Sequence, residues 1–391
     1  MKNKDILIEI KKKHFCEYHN NPDIIAIAPG RVNIIGEHTD YNNGLAMPAA
    51  ISKYIFVSLS FNSKDMIRAY SDQMKKVLSV DLEHMIASDS WHQYILGSVK
   101  EIFENYNVRN GIDILIYSNL PIGKGISSSA ALEVALVNGI LNLFKIEENN
   151  DNIIKICQEI DHKYIGIKSG ILDQSASQLS RKGSVLKIDF DKNLFSYIDV
   201  DFSDFSWILV DSMIKRELAS SKYHERVDEC IEGLSILSNL LEREVNCRGI
   251  SLYELSLLQD LHPILGNRIQ HIIEENERVE KMEKALLEKN LIEIGVLLNN
   301  SHISLRDLYE VSCKEIDYLI SISSKLGYWY GGRIMGGGFG GSTINLVKKG
   351  EEEKYSEFIR TNYKNKFKIE ADIYNIEFSK GVEIINNIST D

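Results

Sequence analysis

The chain has 391 residues, room for two domains at roughly 100–200 residues each, and its 44% hydrophobic and 26% charged content is that of an ordinary globular protein. Its formal net charge of −11 is the opposite of the basic footprint that a nucleic-acid binder carries, so nucleic acid is excluded as the expected partner. No leader-like apolar segment follows Met1 and no apolar run approaches the roughly 18–20 residues that span a bilayer, so a cytoplasmic chain without membrane contact is expected. The five cysteines (Cys16, Cys157, Cys230, Cys247 and Cys313) are scattered without a CxxC pair and read as reduced thiols.

In chain order, residues 24–28 read as a strand ending at Pro29-Gly30. Residues 54–61 read as a second strand, rich in β-branched and aromatic side chains, and 111–117 as a third, stopped by Asn119-Leu120-Pro121. A glycine turn then leads into residues 130–144, whose apolar positions have helical spacing. Residues 184–190 read as a strand after the Arg181-Lys182-Gly183 turn. From about Glu217 the texture changes, and amphipathic stretches at 227–241, 269–287 and 291–319 are predicted helices. Strand texture returns at 342–347 and 373–378. The expectation is an α+β protein, with a mixed sheet-and-helix domain over 1–200 and a helix-rich α+β domain over 201–391. No Pro/Gly/Ser-rich linker, repeat or low-complexity segment marks the boundary.

Between the third strand and the first long helix lies Pro121-Ile122-Gly123-Lys124-Gly125-Ile126-Ser127-Ser128-Ser129-Ala130-Ala131. The glycines permit tight turning and close backbone approach. The serines fall at the helix N-cap and first turn, where free backbone N–H groups and the positive end of the dipole favour an anion such as a phosphate. A serine hydroxyl there can also reach Mg²⁺, which prefers oxygen ligands. An ordinary glycine turn with serine caps would look the same in isolation. No Gly-x-x-x-x-Gly-Lys-Ser/Thr string exists in the chain.

The loop from Pro29 to Gly44 is dense in hydrogen-bonding groups, with Glu37, His38 and Asp40 close together. Such a set suits a sugar, whose hydroxyls need paired donors and acceptors. One histidine with two acids and no thiol is a poor zinc set, while a polar surface turn is the bland alternative. Asp173, in Gly170-Ile171-Leu172-Asp173-Gln174, sits in a small and apolar stretch, where it could accept or orient a hydroxyl proton, or simply cap a helix. Gly336, Gly338 and Gly341 match Gly-x-Gly-x-x-Gly formally, but a predicted strand rather than a helix follows them. That context argues against a dinucleotide site and for a glycine loop packed close to an active site.

Taken together these segments resemble the galactokinases, of the GHMP group of small-molecule kinases, from about residue 24 to the C-terminus. The carriers are Ala28 to Asn42, Leu120 to Ala131, Gly336 to Thr343, Leu218-Ala219-Ser220-Ser221-Lys222-Tyr223, Glu274-Glu275-Asn276-Glu277-Arg278, and Ser301 to Ser312. The resemblance implies a two-lobed GHMP kinase-like fold with the active site in the cleft between the lobes. It implies transfer of a phosphoryl group from ATP to the anomeric hydroxyl of galactose, with no obligate protein partner. A kinase for N-acetylgalactosamine or another hexose, or an inactive galactose/ATP sensor, are the alternatives. It further implies that Gly123, Lys124, Gly125, Ile126, Ser127, Ser128 and Ser129 wrap the ATP phosphates, and that Ser129 and Asp161 hold Mg²⁺. Glu37, His38, Thr39, Asp40, Gly170 and Tyr223 would line the sugar site. Asp173 would act at the anomeric hydroxyl, and Arg31 would stabilise the transferring phosphoryl group. The chain departs from the family pattern in carrying Asp161 where a Glu is usual and Lys124 where a small residue is usual. It also has Asp211-Ser212 in place of an Asn-Thr-like pair.

Overall fold

The computed structural model describes residues 3–121, 125–201, 203–214 and 219–386. Helix α1 (Asn3–Tyr18) precedes strand β1 (Ile24–Asn33), the short β2 (Leu45–Ala46) and the long β3 (Pro48–Asn62). The hairpin β4 (Met66–Ser71)–β5 (Lys76–Asp81), α2 (Ser90–Tyr106) and β6 (Gly111–Ser118) follow. Then come α3 (Ser128–Leu143), α4 (Asn150–Ile160), α5 (Leu172–Leu179) and the hairpin β7 (Ser184–Asp189)–β8 (Leu194–Asp199). Past residue 200 lie β9 (Phe205–Asp211), α6 (Ala219–Leu241), α7 (Leu252–Leu261), α8 (Pro263–Leu287), α9 (Leu291–Asp307) and α10 (Lys314–Ser323). The chain finishes with β10 (Trp329–Met335), β11 (Ser342–Lys348), α11 (Glu352–Phe367), β12 (Asp372–Ile376) and β13 (Glu383–Asn386).

The strands form a six-stranded sheet in the order β13-β1-β3-β6-β4-β5, a four-stranded sheet β10-β11-β9-β12, and a three-stranded sheet β2-β7-β8. In the large sheet only the β4–β6 pair is parallel. The last strand returns to the first sheet, with Ile24 opposite Asn386. Helix α3 is apolar almost all round and accordingly lies between the β1/β3 face and helices α2, α4 and α5. One hydrophobic cluster runs from Val57 and Val134 through to Trp207, Leu209 and Leu346, so the two large sheets share a core. Helices α6, α7, α8, α10 and α11 bury a second cluster, on the side of the four-stranded sheet that carries Ile208, Val210 and Val347.

Two departures from the sequence expectation have physical causes. The stretch 291–319 is two helices, because the chain breaks at Leu308–Cys313 to bring Tyr309 into the interior. There the carbonyl oxygens of Leu308 and Tyr309 accept hydrogen bonds from the buried guanidinium groups of Arg268 and Arg226. Strand β9 is buried at every position, so it carries no alternation by which a strand is recognised.

Candidate functional site

Strand β1 changes register at Pro29/Arg31, and this irregularity turns the Arg31 side chain toward the start of α3. The backbone N–H of Arg31 donates to the Ile126 carbonyl at 3.1 Å, and one guanidinium nitrogen donates to the Gly125 carbonyl at 2.7 Å. The other side of the guanidinium pairs with Asp173 at 2.6–2.7 Å. Asp173 stands in the first turn of α5, and its second oxygen accepts the Ser127 hydroxyl. Ser127 is the N-cap residue of α3 in a left-handed conformation, φ 55°, and its hydroxyl makes no cap bond. The first-turn N–H groups of α3 are thus left without their usual side-chain acceptor, which suits an incoming anion. Arg31, Asp173 and Ser127 form one connected unit.

A cavity of about 270 Å³ opens beside this unit. It brings together Arg31, Glu37, His38, Asp40, Ser129, Asp161, Gly170, Asp173 and Tyr223, drawn from both sides of residue 200. Gly170 must lack a side chain, because a Cβ there would lie 2.1 Å from an Asp40 carboxylate oxygen. Burial, followed by the neighbouring Asp173 charge, pushes Asp40 up to about 7. Glu37 lies below the usual carboxylate range: its burial opposes this, but the charges of Arg333 and Arg31 prevail. Arg333 donates to Glu37 at 2.8 Å and the Gly336 N–H donates to the same oxygen at 3.0 Å.

The remaining predicted residues fall elsewhere. Thr39 is buried outside the cavity, and its hydroxyl donates to the carbonyls of Gly36 and Leu45 at 3.0 and 2.8 Å, bracing the loop. Ser128 lines a second cavity rather than the first. Gly123 and Lys124, like Leu218, lie outside the described residues. The stretch around Glu275 supports the sugar-type loop from behind. The buried Glu275 carboxylate accepts the N–H of Gly36 at 2.9 Å and of Glu37 at 3.3 Å, and Asn276 accepts that of Leu45 at 2.7 Å. The glycine loop after β10 packs closely, since a Cβ on Gly338 would meet Val311 at 2.6 Å, and Gly337 reaches the cavity wall.

Sequence reasoning missed Tyr94, Glu133, Gln174 and the site role of Arg333. Asp161 stands in a single π-type turn after α4, a feature frequent at functional positions. It accepts the Ser169 hydroxyl at 2.8 Å and the Gln174 amide at 2.9 Å, and the same amide reaches Glu133 at 3.2 Å. Burial raises both acids, Glu133 well above the usual range, with the Asp161 charge adding to it. One Glu133 oxygen has no partner among the described residues. Tyr94 lines both cavities, as does Ser129. The second cavity, about 200 Å³, is walled by Ile55, Met74, Trp91, Ile116 and Leu132 and meets the first at Tyr94 and Ser129. No local pattern flagged these residues; Arg333 alone carried a hint, as a charge inside a glycine cluster.

The chain matches three family models: the galactokinase galactose-binding signature over residues 12–61, the GHMP kinases N-terminal domain over 93–181 and the GHMP kinases C-terminal domain over 282–365. It is 38% identical over 358 residues to a galactokinase of Thermotoga neapolitana, covering 92% of this chain and 99% of that protein. It is 35% identical to a galactokinase of Clostridium beijerinckii, over 97% of this chain and 99% of the relative. Among solved structures, Lactococcus lactis galactokinase complexed with galactose superposes with a TM-score of 0.90 at 29% identity, covering 97% of this chain and 99% of that one. A mevalonate kinase shares the fold at a TM-score of 0.65 and 21% identity, over 91% of this chain and 99% of that one.

Proposed function

The chain belongs to the galactokinase family of GHMP kinases, and on that premise we propose that it phosphorylates galactose at the anomeric hydroxyl at the expense of ATP, using the two adjoining cavities. The larger, polar cavity takes the sugar. Glu37, His38, Asp40 and Tyr223 offer the acceptors and donors that hydroxyls require, and a sugar lacking a matching hydroxyl would strand them. The smaller, apolar cavity takes the adenine, with Trp91 and Met74 in its wall. The phosphates then lie along Gly125–Ser129, at the start of α3.

Arg31 stands between the sugar cavity and the phosphate turn. Its contact with the Gly125 carbonyl keeps it at the phosphate turn, while its pairing with Asp173 keeps it at the sugar. Phosphoryl transfer asks chiefly for alignment and charge stabilisation, and a guanidinium at that junction supplies the second. Asp173 offers a carboxylate to the reacting hydroxyl, to orient it and accept its proton.

Among the described residues, no three His, Cys, Asp or Glu side chains are grouped to hold a metal unaided. Ser129 and Asp161 nonetheless offer oxygen donors on one cavity wall, beside the unpartnered Glu133 oxygen. That set fits Mg²⁺ shared with nucleotide phosphates, the usual way this ion binds. When bound, the ion would neutralise charge on the phosphates. No described helix is long and apolar enough to cross a membrane, which accords with the cytoplasmic location we propose.

The observation that carries this function is the Arg31–Asp173–Ser127 link between the sugar cavity and the phosphate turn. The test is ADP release from ATP and Mg²⁺ with a panel of hexoses. Turnover with galactose and little with glucose, which differs at the 4-hydroxyl, is expected. Binding of both substrates without ADP release would overturn it.

A further inference from the structure

His38 is buried in the wall of the sugar cavity with φ 63°, and its two ring nitrogens are treated differently. Nδ1 lies 2.7 Å from the Tyr41 hydroxyl, which lies 3.0 Å from the Tyr309 hydroxyl, which lies 3.1 Å from the Cys230 sulfur. Nε2 is buried and has no partner among the described residues. Four side chains from the sugar loop, α6 and the break after α9 thus form one hydrogen-bonded line that starts in the core and stops at the cavity. The phenol rings also pack the imidazole, Tyr309 at 4.8 Å and Tyr223 at 5.7 Å between ring centres.

We infer that Cys230, Tyr309 and Tyr41 are a relay that holds His38 as the Nε2–H tautomer, so that it donates to one hydroxyl oxygen of the sugar. The inference rests on the proposed hexose site. The direction follows from the chemistry of the donors and acceptors. The Tyr41 hydroxyl can donate to Nδ1 or accept from it, and a proton placed on its oxygen by Tyr309 leaves it to donate to Nδ1. Tyr309 then accepts from the thiol. Burial keeps that thiol protonated, at about 11. Burial lowers His38 to about 3, so the ring stays neutral and has a single proton to place. Tyr309 and Cys230 are positioning residues, since they act on the sugar only through His38.

The test uses the full chain labelled with ¹⁵N-histidine, with the His38 signal assigned by its loss in His38→Gln. Nε2 should carry the proton, and Tyr309→Phe should convert this signal to a tautomer mixture. In the same variant the KM for galactose should rise about fivefold with kcat and the KM for ATP nearly unchanged, the loss expected for one misdirected hydrogen bond. Among monodeoxygalactoses, the one lacking the hydroxyl that His38 serves should show no further loss on Tyr309→Phe, as a double-mutant cycle requires of a shared interaction. Cys230→Ser should keep the tautomer and Cys230→Ala should lose it, which covers the case in which Tyr309→Phe does not fold. An Nδ1–H tautomer in the unmodified chain would overturn the relay. So would a Tyr309→Phe protein with unchanged tautomer and galactose KM. An Nε2–H signal in a chain that turns over no hexose would support the relay while overturning the proposed function.

Discussion

Glu37 and Asp161 line the same cavity, yet they are built into it differently. Glu37 has a buried guanidinium from Arg333 at 2.8 Å, a backbone N–H from Gly336 and the nearby charge of Arg31. Asp161 has a hydroxyl, an amide and a second acid behind it, and among the described residues no cation pairs with either Asp161 or Glu133. The first wall carries its own counter-charge and holds its shape without ligand. The second leaves two desolvated acids uncompensated, an arrangement that costs stability unless a cation arrives. Arg31 and Asp173 lie between them, in a pair that belongs to neither wall alone.

The largest effect should come from that middle pair. Asp173→Asn keeps the size of the side chain but leaves the guanidinium and the reacting hydroxyl without a charged acceptor. We expect kcat to fall about a thousandfold with the fold intact, checked by steady-state ADP release and by circular dichroism. Next, Arg333→Met leaves Glu37 buried and unpaired, and the chain should lose about 3–5 kcal/mol of stability, measured by urea unfolding. The opposite wall should respond the other way. Asp161→Asn should leave the apo chain as stable or more so, while weakening Mg²⁺ about tenfold in a titration followed by ADP release. Equal losses of stability in both variants would erase the contrast between the walls.

The smallest effect concerns Asp40. Its pKa is raised from 3.8 to about 7, so the folded chain holds a proton that the unfolded chain has already released. Stability contributed through this group is therefore lost as pH rises from the ordinary carboxylate range through about 7. Galactose affinity should move in the other direction, because the ionised carboxylate is the better acceptor. Calorimetry on both sides of about pH 7 should show binding strengthen by a few-fold, and Asp40→Asn should remove the dependence.

How much of this was legible in the sequence depended on how local the chemistry is. The sugar-type loop and the phosphate turn each pack their polar groups into about a dozen contiguous residues, so composition and glycine spacing pointed to them. Asp173 was legible as an acid in an apolar stretch, but its pairing with Arg31 spans 142 positions and is created only by folding. Glu133 sits inside α3, the most apolar of the long helices, and nothing in its neighbours sets it apart until the packing of α4 and α5 brings Asp161 and Gln174 against it. Thr39 shows the converse. It stands between two cavity-lining residues in sequence, but its hydroxyl is committed to backbone carbonyls. Tyr309 was hidden because apolar spacing runs across the break between α9 and α10, and two distant arginines, not a local stop signal, hold the chain open there.

The most direct measurement is a crystal structure with galactose and a non-hydrolysable ATP analogue bound together. The account predicts the anomeric hydroxyl against Asp173, the terminal phosphate beside Arg31 at the start of α3, and the base against Trp91. A sugar held away from Asp173, or phosphates that do not approach Arg31, would contradict it.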